Sequence, residues 1–154
     1  MSKRNFLVIV DETKEMEVAL NYACIRAKKT DGNIILASFV KPIDVLTTKS
    51  VGDIMKNEAR EEAEVMIQKA SAYVKEETGI TPILLIRESE IIEGLLKLIE
   101  EENISVLVVA AATDQKEGPG PIIASILTTN YTRIKIPIMI VPGNFSKEHI
   151  NHIG

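Results

Sequence analysis

The amino-acid sequence predicts an α/β domain: a single open, mostly parallel sheet of five strands in the order 3-2-1-4-5, with helices on both faces. Three observations predict it. Short apolar runs alternate with stretches of helical period, in the order β-α-β-α-β-α-β-α-β, which demands parallel strands joined by helical crossovers. The run Ser105-Val-Leu-Val-Val-Ala-Ala-Ala112 is almost wholly apolar, as a strand covered on both faces is. Gly118-Pro-Gly-Pro121 then breaks that run and puts a proline where a helix can begin.

The elements follow in chain order. Phe6 to Val10 is the first strand and stops at Asp11. Glu15 to Lys29 has Met16, Ala19, Leu20, Ala23, Cys24 and Ala27 at spacings of three and four, the apolar stripe of a helix. Thr13 is its expected N-cap, Glu15 and Glu17 suit its positive end, and Arg26, Lys28 and Lys29 its negative end, with Gly32 as the stop. Asn33 to Val40 is the second strand, and 41–50 a loop containing Pro42. Ser50-Val-Gly-Asp53 reads as a capping box with Asp in place of Glu. The helix after it reaches Thr78 along a stripe of Met55, Ala59, Ala63, Met66, Ile67, Ala70 and Val74, and Gly79 ends it. Thr81 to Ile86 is the third strand; Ser89 to Asn103 is a helix with Ile91, Ile92, Leu95, Leu96 and Ile99 on one side. The fourth strand is followed by a helix over Ile122 to Arg133 and by a fifth strand, Pro137 to Pro142. We assign one domain to 5–142 and a polar tail to 143–154, either mobile or a short terminal helix.

Composition narrows the function. A chain of 154 residues with 45% hydrophobic and 26% charged side chains is long enough for one domain with a sizeable core. A net charge of −4 with no dense Lys/Arg run excludes broad binding to nucleic acid or to a membrane surface. Aromatics at 4%, with no Trp, leave little to stack bases on. Cys24 is the lone cysteine, so there is no internal disulfide, in keeping with a reducing compartment. Phe6 to Val10 is too short for a signal segment, and no apolar run nears the roughly 20 residues of a membrane helix. The expected location is the cytoplasm.

Catalytic groups are not assembled in the sequence. Cys24 lies on an apolar helix stripe, the place of a core thiol rather than a nucleophile. His149 and His152 share the tail without a cysteine partner, so no metal site is expected. Glu58, Glu61, Glu62 and Glu64 with Arg60 read as a solvated helix face. No G-x-S-x-G elbow, P-loop or G-x-G-x-x-G is present. In a doubly wound sheet a ligand sits at the carboxyl ends of the strands where the winding reverses, here between the first and fourth. That brings Asp11 against the loop 112–125, where it either accepts hydrogen bonds from a ribose or caps the turn into the first helix.

Val8-Ile-Val-Asp11 with Thr13 and the helix Met16 to Ala27, together with Ala124-Ser125 and Ile136-Pro-Ile-Met-Ile-Val-Pro142, resembles the universal stress protein family over residues 6 to 142. The resemblance implies a Rossmann-like fold and an ATP site of the form G-x2-G-x9-G-[ST] after the fourth strand. Those positions fall on Ala111, Asp114, Ala124 and Ser125, and only Ser125 keeps its type. Glycine there lets phosphate approach the backbone, which a Cβ opposes. A carboxylate ~4 Å from phosphate at an effective dielectric near 20 costs on the order of 4 kcal/mol before screening. Asp114 is therefore the serious departure; Glu117 adds charge, and Pro119 and Pro121 lack N–H donors. Gly118 and Gly120 can rebuild a different loop, with Lys116 neutralising an anion, or Gly-Pro-Gly-Pro is simply a rigid turn. Phe39 resembles in position the family's adenine contact, its alternative being ordinary packing, while Val45 and Leu46 form a lid or cover the sheet. The candidate nucleotide set is thus Asp11, Phe39, Ala111, Asp114, Lys116, Gly118, Gly120, Ala124 and Ser125.

The function expected from this resemblance is a non-catalytic regulator or adaptor in a stress response, with a degenerate nucleotide cleft and a regulatory partner protein the sequence does not name. The alternative is a switch that binds ATP or AMP through a modified 111–126 loop, with slow hydrolysis at most. The resemblance also implies a homodimer through the fifth strand, whose Ile138-Met-Ile-Val141 leaves an apolar edge.

Overall fold

The short apolar runs of the sequence become strands because helices cover the sheet on both sides. The computed structural model describes residues 3–42, 49–114 and 118–154. Strands β1 (Asn5–Ile9), β2 (Asn33–Val40), β3 (Ile83–Glu88), β4 (Val106–Ala111) and β5 (Ile138–Pro142) form one sheet in the order β3-β2-β1-β4-β5, every neighbouring pair parallel. Register fixes the centre: Val8 of β1 lies between Leu36 of β2 and Val108 of β4. Helices α1 (Glu15–Thr30) and α2 (Lys49–Thr78) cover one face with α5 (Lys147–Ile153), packing on Phe6, Val8, Ile34, Leu36 and Val108. Helices α3 (Ile91–Glu101) and α4 (Pro121–Ser125) cover the other through Leu95, Leu98 and Ile123, against Leu7, Ile9, Ile35, Leu107 and Val109. Alternate residues of β1 thus enter opposite cores, so the strand is apolar throughout. No helix among the described residues is long and apolar enough to cross a membrane.

The elements fall where the sequence puts them, and the differences have local causes. The left-handed residue that ends α1 is Asp31, at φ 52°, not Gly32. Gly32 serves a close approach instead: a Cβ there would lie 2.7 Å from the Arg4 carbonyl oxygen. The expected N-cap Thr13 stands one residue before the helix boundary at Lys14 and offers no side-chain cap. Helix α2 begins at Lys49, so Ser50 is inside its first turn rather than ahead of it. With 30 residues α2 is roughly 45 Å long, against about 26 Å for the eight residues of β2, and its first turns have no sheet beneath them. Met55, expected in the buried stripe, is accordingly 48% exposed, whereas Ala63, Ile67, Ala70 and Val74 are buried. Gly79 ends α2 at φ 75° as expected. The helix expected over 122–133 is a single α turn with Pro121 in its first turn, followed by a π-helical turn over Ile126–Asn130. Of the two forms expected for 143–154, the short helix is the one found. Ser146 caps α5, its hydroxyl accepting from the His149 N–H at 3.1 Å, and Ile150 is fully buried.

Candidate functional site

The strand order reverses at β1 and β4, and there α1 and α4 leave on opposite faces. The carboxyl ends of the two strands bound a cavity of about 270 Å³. Asp11 and Thr13 follow β1 into it, Glu15 reaches it from the first turn of α1, and Pro119, Gly120 and Pro121 close the far side. Most of its wall is apolar, with Ile9, Ile122 and Ile123 among the lining.

The polar groups around this cleft are already engaged with one another. One carboxylate oxygen of Asp11 accepts from both the N–H and the hydroxyl of Thr13, at 2.9 and 2.6 Å, so Asp11 ties the turn into α1. At the end of β4 the Ala112 N–H donates to the Pro119 carbonyl at 3.0 Å, and the Ala111 carbonyl accepts from the Gly143 N–H at 2.8 Å. Gly143 is glycine because a Cβ would meet that same carbonyl oxygen at 2.3 Å and the Cγ of Glu15 at 2.7 Å. Gly118 and Gly120 hold φ values of 76° and 105°, which only glycine adopts without strain, and each turns the chain ahead of a proline that offers no N–H. The Ala124 N–H donates to the Gly120 carbonyl, opening α4.

Several expected site residues lie elsewhere. Of the candidates, Asp11 and Gly120 line the cleft. Ser125 turns to Asn130, whose side-chain amide donates to its hydroxyl at 2.8 Å; Arg133 in turn donates to Asn130 and to Glu93, each at 3.1 Å. Phe39 packs into the core under α3: a Cβ at Gly94 would be 2.7 Å from its ring. Asp114 is exposed beyond the end of β4. Lys116 lies outside the described residues, as do Glu117 and the lid candidates Val45 and Leu46. Glu15 was not read from the sequence as a cleft residue, nor Asn130 as the partner of Ser125. The signal for Glu15 is its place at the start of the helix that Asp11 leads into; nothing in the sequence marks Asn130.

On the other side of Asp11 and Thr13 a second cavity, of about 470 Å³, runs between α1 and α2. Met16, Leu20, Met66 and Ala70 line it, with Tyr73 and Lys147 at one end. Lys147 pairs with Glu77 at 2.7 Å and stands 5.3 Å from the centre of the Tyr73 ring; the Tyr73 hydroxyl donates to the Asn21 side chain. The hydrogen bonds to Glu77 and then Tyr73 raise the Lys147 ammonium above its ordinary pKa. Burial raises the Tyr73 phenol and pushes the Cys24 thiol up to about 12, the Glu77 charge adding to both. Among the described residues no group of His, Cys, Asp and Glu could hold a metal ion.

A parallel five-stranded sheet wound in this order, with a cleft at its reversal point, defines the class of doubly wound α/β domains. The family model of the universal stress protein family matches residues 3–142, and the chain belongs to that family. Its fold is similar to that of the universal stress protein UspA from Lactobacillus plantarum, with 15% identity, a TM-score of 0.73, and coverage of 92% of this chain and 99% of that one. A universal stress protein in complex with cAMP gives 15% identity and a TM-score of 0.67, covering 94% of this chain and all (100%) of that one. The universal stress protein from Archaeoglobus fulgidus in complex with dAMP gives 17% identity and a TM-score of 0.60, covering 92% and 99%. No curated protein matches the chain by sequence.

Proposed function

We propose that this universal stress protein is a non-catalytic regulator or adaptor whose cleft does not hold a nucleoside triphosphate. The observation that carries this reading is the chemistry of the cleft. The carboxylates of Asp11 and Glu15 line it, while the loop opposite presents Pro119 and Pro121, which have no N–H to give a phosphate. Negative charge facing a triphosphate repels it, and the Ala112 N–H is spent on Pro119. A second reading has its own support: relatives of the same fold are complexes with cAMP and dAMP. A mononucleotide brings less charge than ATP, and the apolar wall suits a base, so an AMP-bound switch with slow hydrolysis at most is the alternative. The protein acts in the cytoplasm as a homodimer joined along β5, through a protein partner.

Calorimetric titration with ATP and Mg²⁺, and separately with AMP, tests this on the wild type and on a Glu15→Gln/Asp114→Gly variant. The expected result is no ATP binding by the wild type and a gain by the variant. Micromolar ATP binding by the wild type would overturn the reading; AMP binding alone would establish the switch.

A further inference from the structure

The groove between α1 and α2 points to the partner that the adaptor reading requires. The cavity under Met16 and Leu20 adjoins a shallow, open hollow on the surface of α2, because Glu12 and Met66 line both. Together they follow α2 from Glu58 to Tyr73, roughly 22 Å at the rise of a helix, enough for about four turns of a second helix. Met16, Leu20, Met66 and Ala70 supply the apolar lining of the inner half, and the unbranched side chains of the two methionines adapt to an incoming surface. The groove opens outward through Val65, which is 68% exposed. Val65 stands between the buried Ala63 and Ile67 but faces away from the core, so packing on the sheet does not account for it.

The rim tells what fits. Glu12, Glu58, Glu61 and Glu62 wall the outer half. Of the nearby cations, Lys56 pairs with Glu88 at 2.9 Å and Arg60 with Glu64 at 3.6 Å, while Lys69 lines the inner half of the groove. At the inner end Lys147 is already held by Glu77. An apolar trough with a negative wall selects an amphipathic helix with one apolar face and flanking Lys or Arg. We infer that the α1/α2 groove docks a basic amphipathic helix of a partner protein, about 15 residues long, its cations gathered over Glu58 to Glu62. This inference rests on the adaptor reading, but the glutamates and Val65 that it tests lie outside the β1/β4 cleft.

The test is fluorescence anisotropy of the full chain with a labelled 15-residue Leu/Lys peptide of helical period. A peptide of the same composition with its leucines scrambled off one face is the control. Saturable binding is expected, at least about tenfold tighter than the scrambled control and weaker at high salt. Glu58→Gln/Glu61→Gln/Glu62→Gln, all exposed, should weaken it about tenfold, and Val65→Ser about threefold, with unfolding curves unchanged. Equal binding of the scrambled peptide would reduce the effect to bulk charge and overturn the inference. So would undiminished binding by the variants, or a change in oligomeric state on substituting these glutamates, which would make a second copy the occupant. The two readings fail separately: ATP binding sinks the empty cleft and leaves this result standing, while absent peptide binding sinks the groove and leaves the cleft as described.

Discussion

Cys24 lies at the buried contact of α1 with the α2/α5 side of the core, with 4% of its surface exposed. Burial holds its thiol protonated from its ordinary value of 9.0 up to about 12. Between those values the folded protein keeps a proton that the unfolded chain has lost. Stability from this group is therefore intact below pH 9 and falls as pH rises through the window. Tyr73 and Lys147 are raised as well, so their contributions run in the same direction. Urea unfolding at pH 8 and pH 10.5 should show a loss of stability in the wild type that is smaller in Cys24→Ala. Equal losses would mean that Cys24 does not drive the alkaline slope. At this scale the sequence was legible where a residue acts on its neighbours. Asp11 tying Thr13 is such a case, since an Asp at a strand end caps turns whatever the tertiary structure. For Phe39 ordinary packing was legible as one of two alternatives, but its place under α3 was not, because that depends on the missing Cβ of Gly94, a whole crossover away in the chain.

The five strands and the three long helices could be read because each repeats its own period over enough residues to outweigh local exceptions. What escaped were elements too short or too irregular to repeat: the π-helical turn at Ile126–Asn130, and the docking of α5. In α5 a single buried side chain, Ile150, stands among Lys147, Glu148, His149, Asn151 and His152, and with only the exposed Ile153 beside it the helix shows no apolar stripe. Yet Ile150 seats the helix on α1, while Lys147 joins it to Glu77 of α2 and Lys29 donates to the Gly154 carbonyl at 2.7 Å. Deleting most of a fully buried isoleucine should cost about 2–4 kcal/mol, whereas the exposed ion pair adds little. Ile150→Ala should thus lower unfolding stability by that amount and raise the rate at which a thiol reagent labels Cys24. Lys147→Ala should do far less to stability. Similar losses from both would place the docking energy in the ion pair and refute this account of α5.

At the scale of the whole molecule, the open sheet leaves two edges, and they are built differently. The β3 edge carries charge: Arg87 reaches Glu101 and Glu102, and Glu88 is held by Lys56, with Pro82 just before the strand. Charged side chains and proline discourage a second chain from pairing there. The β5 edge runs Ile138-Met-Ile-Val141 without a charge, and Ile140 is 42% exposed. Nor does the C-terminal segment shield it, for α5 is committed to the α1/α2 face. A homodimer joined along β5 would cover this edge and would leave the α1/α2 groove open to a partner on each protomer. The wild type should therefore sediment as a dimer at micromolar concentration, Ile140→Lys as a folded monomer, and Ile83→Lys, on the opposite edge, as a dimer still. Were Ile83→Lys the variant that dissociates, the assembly would run through β3, and the charges along that edge would be part of an interface rather than a guard against one.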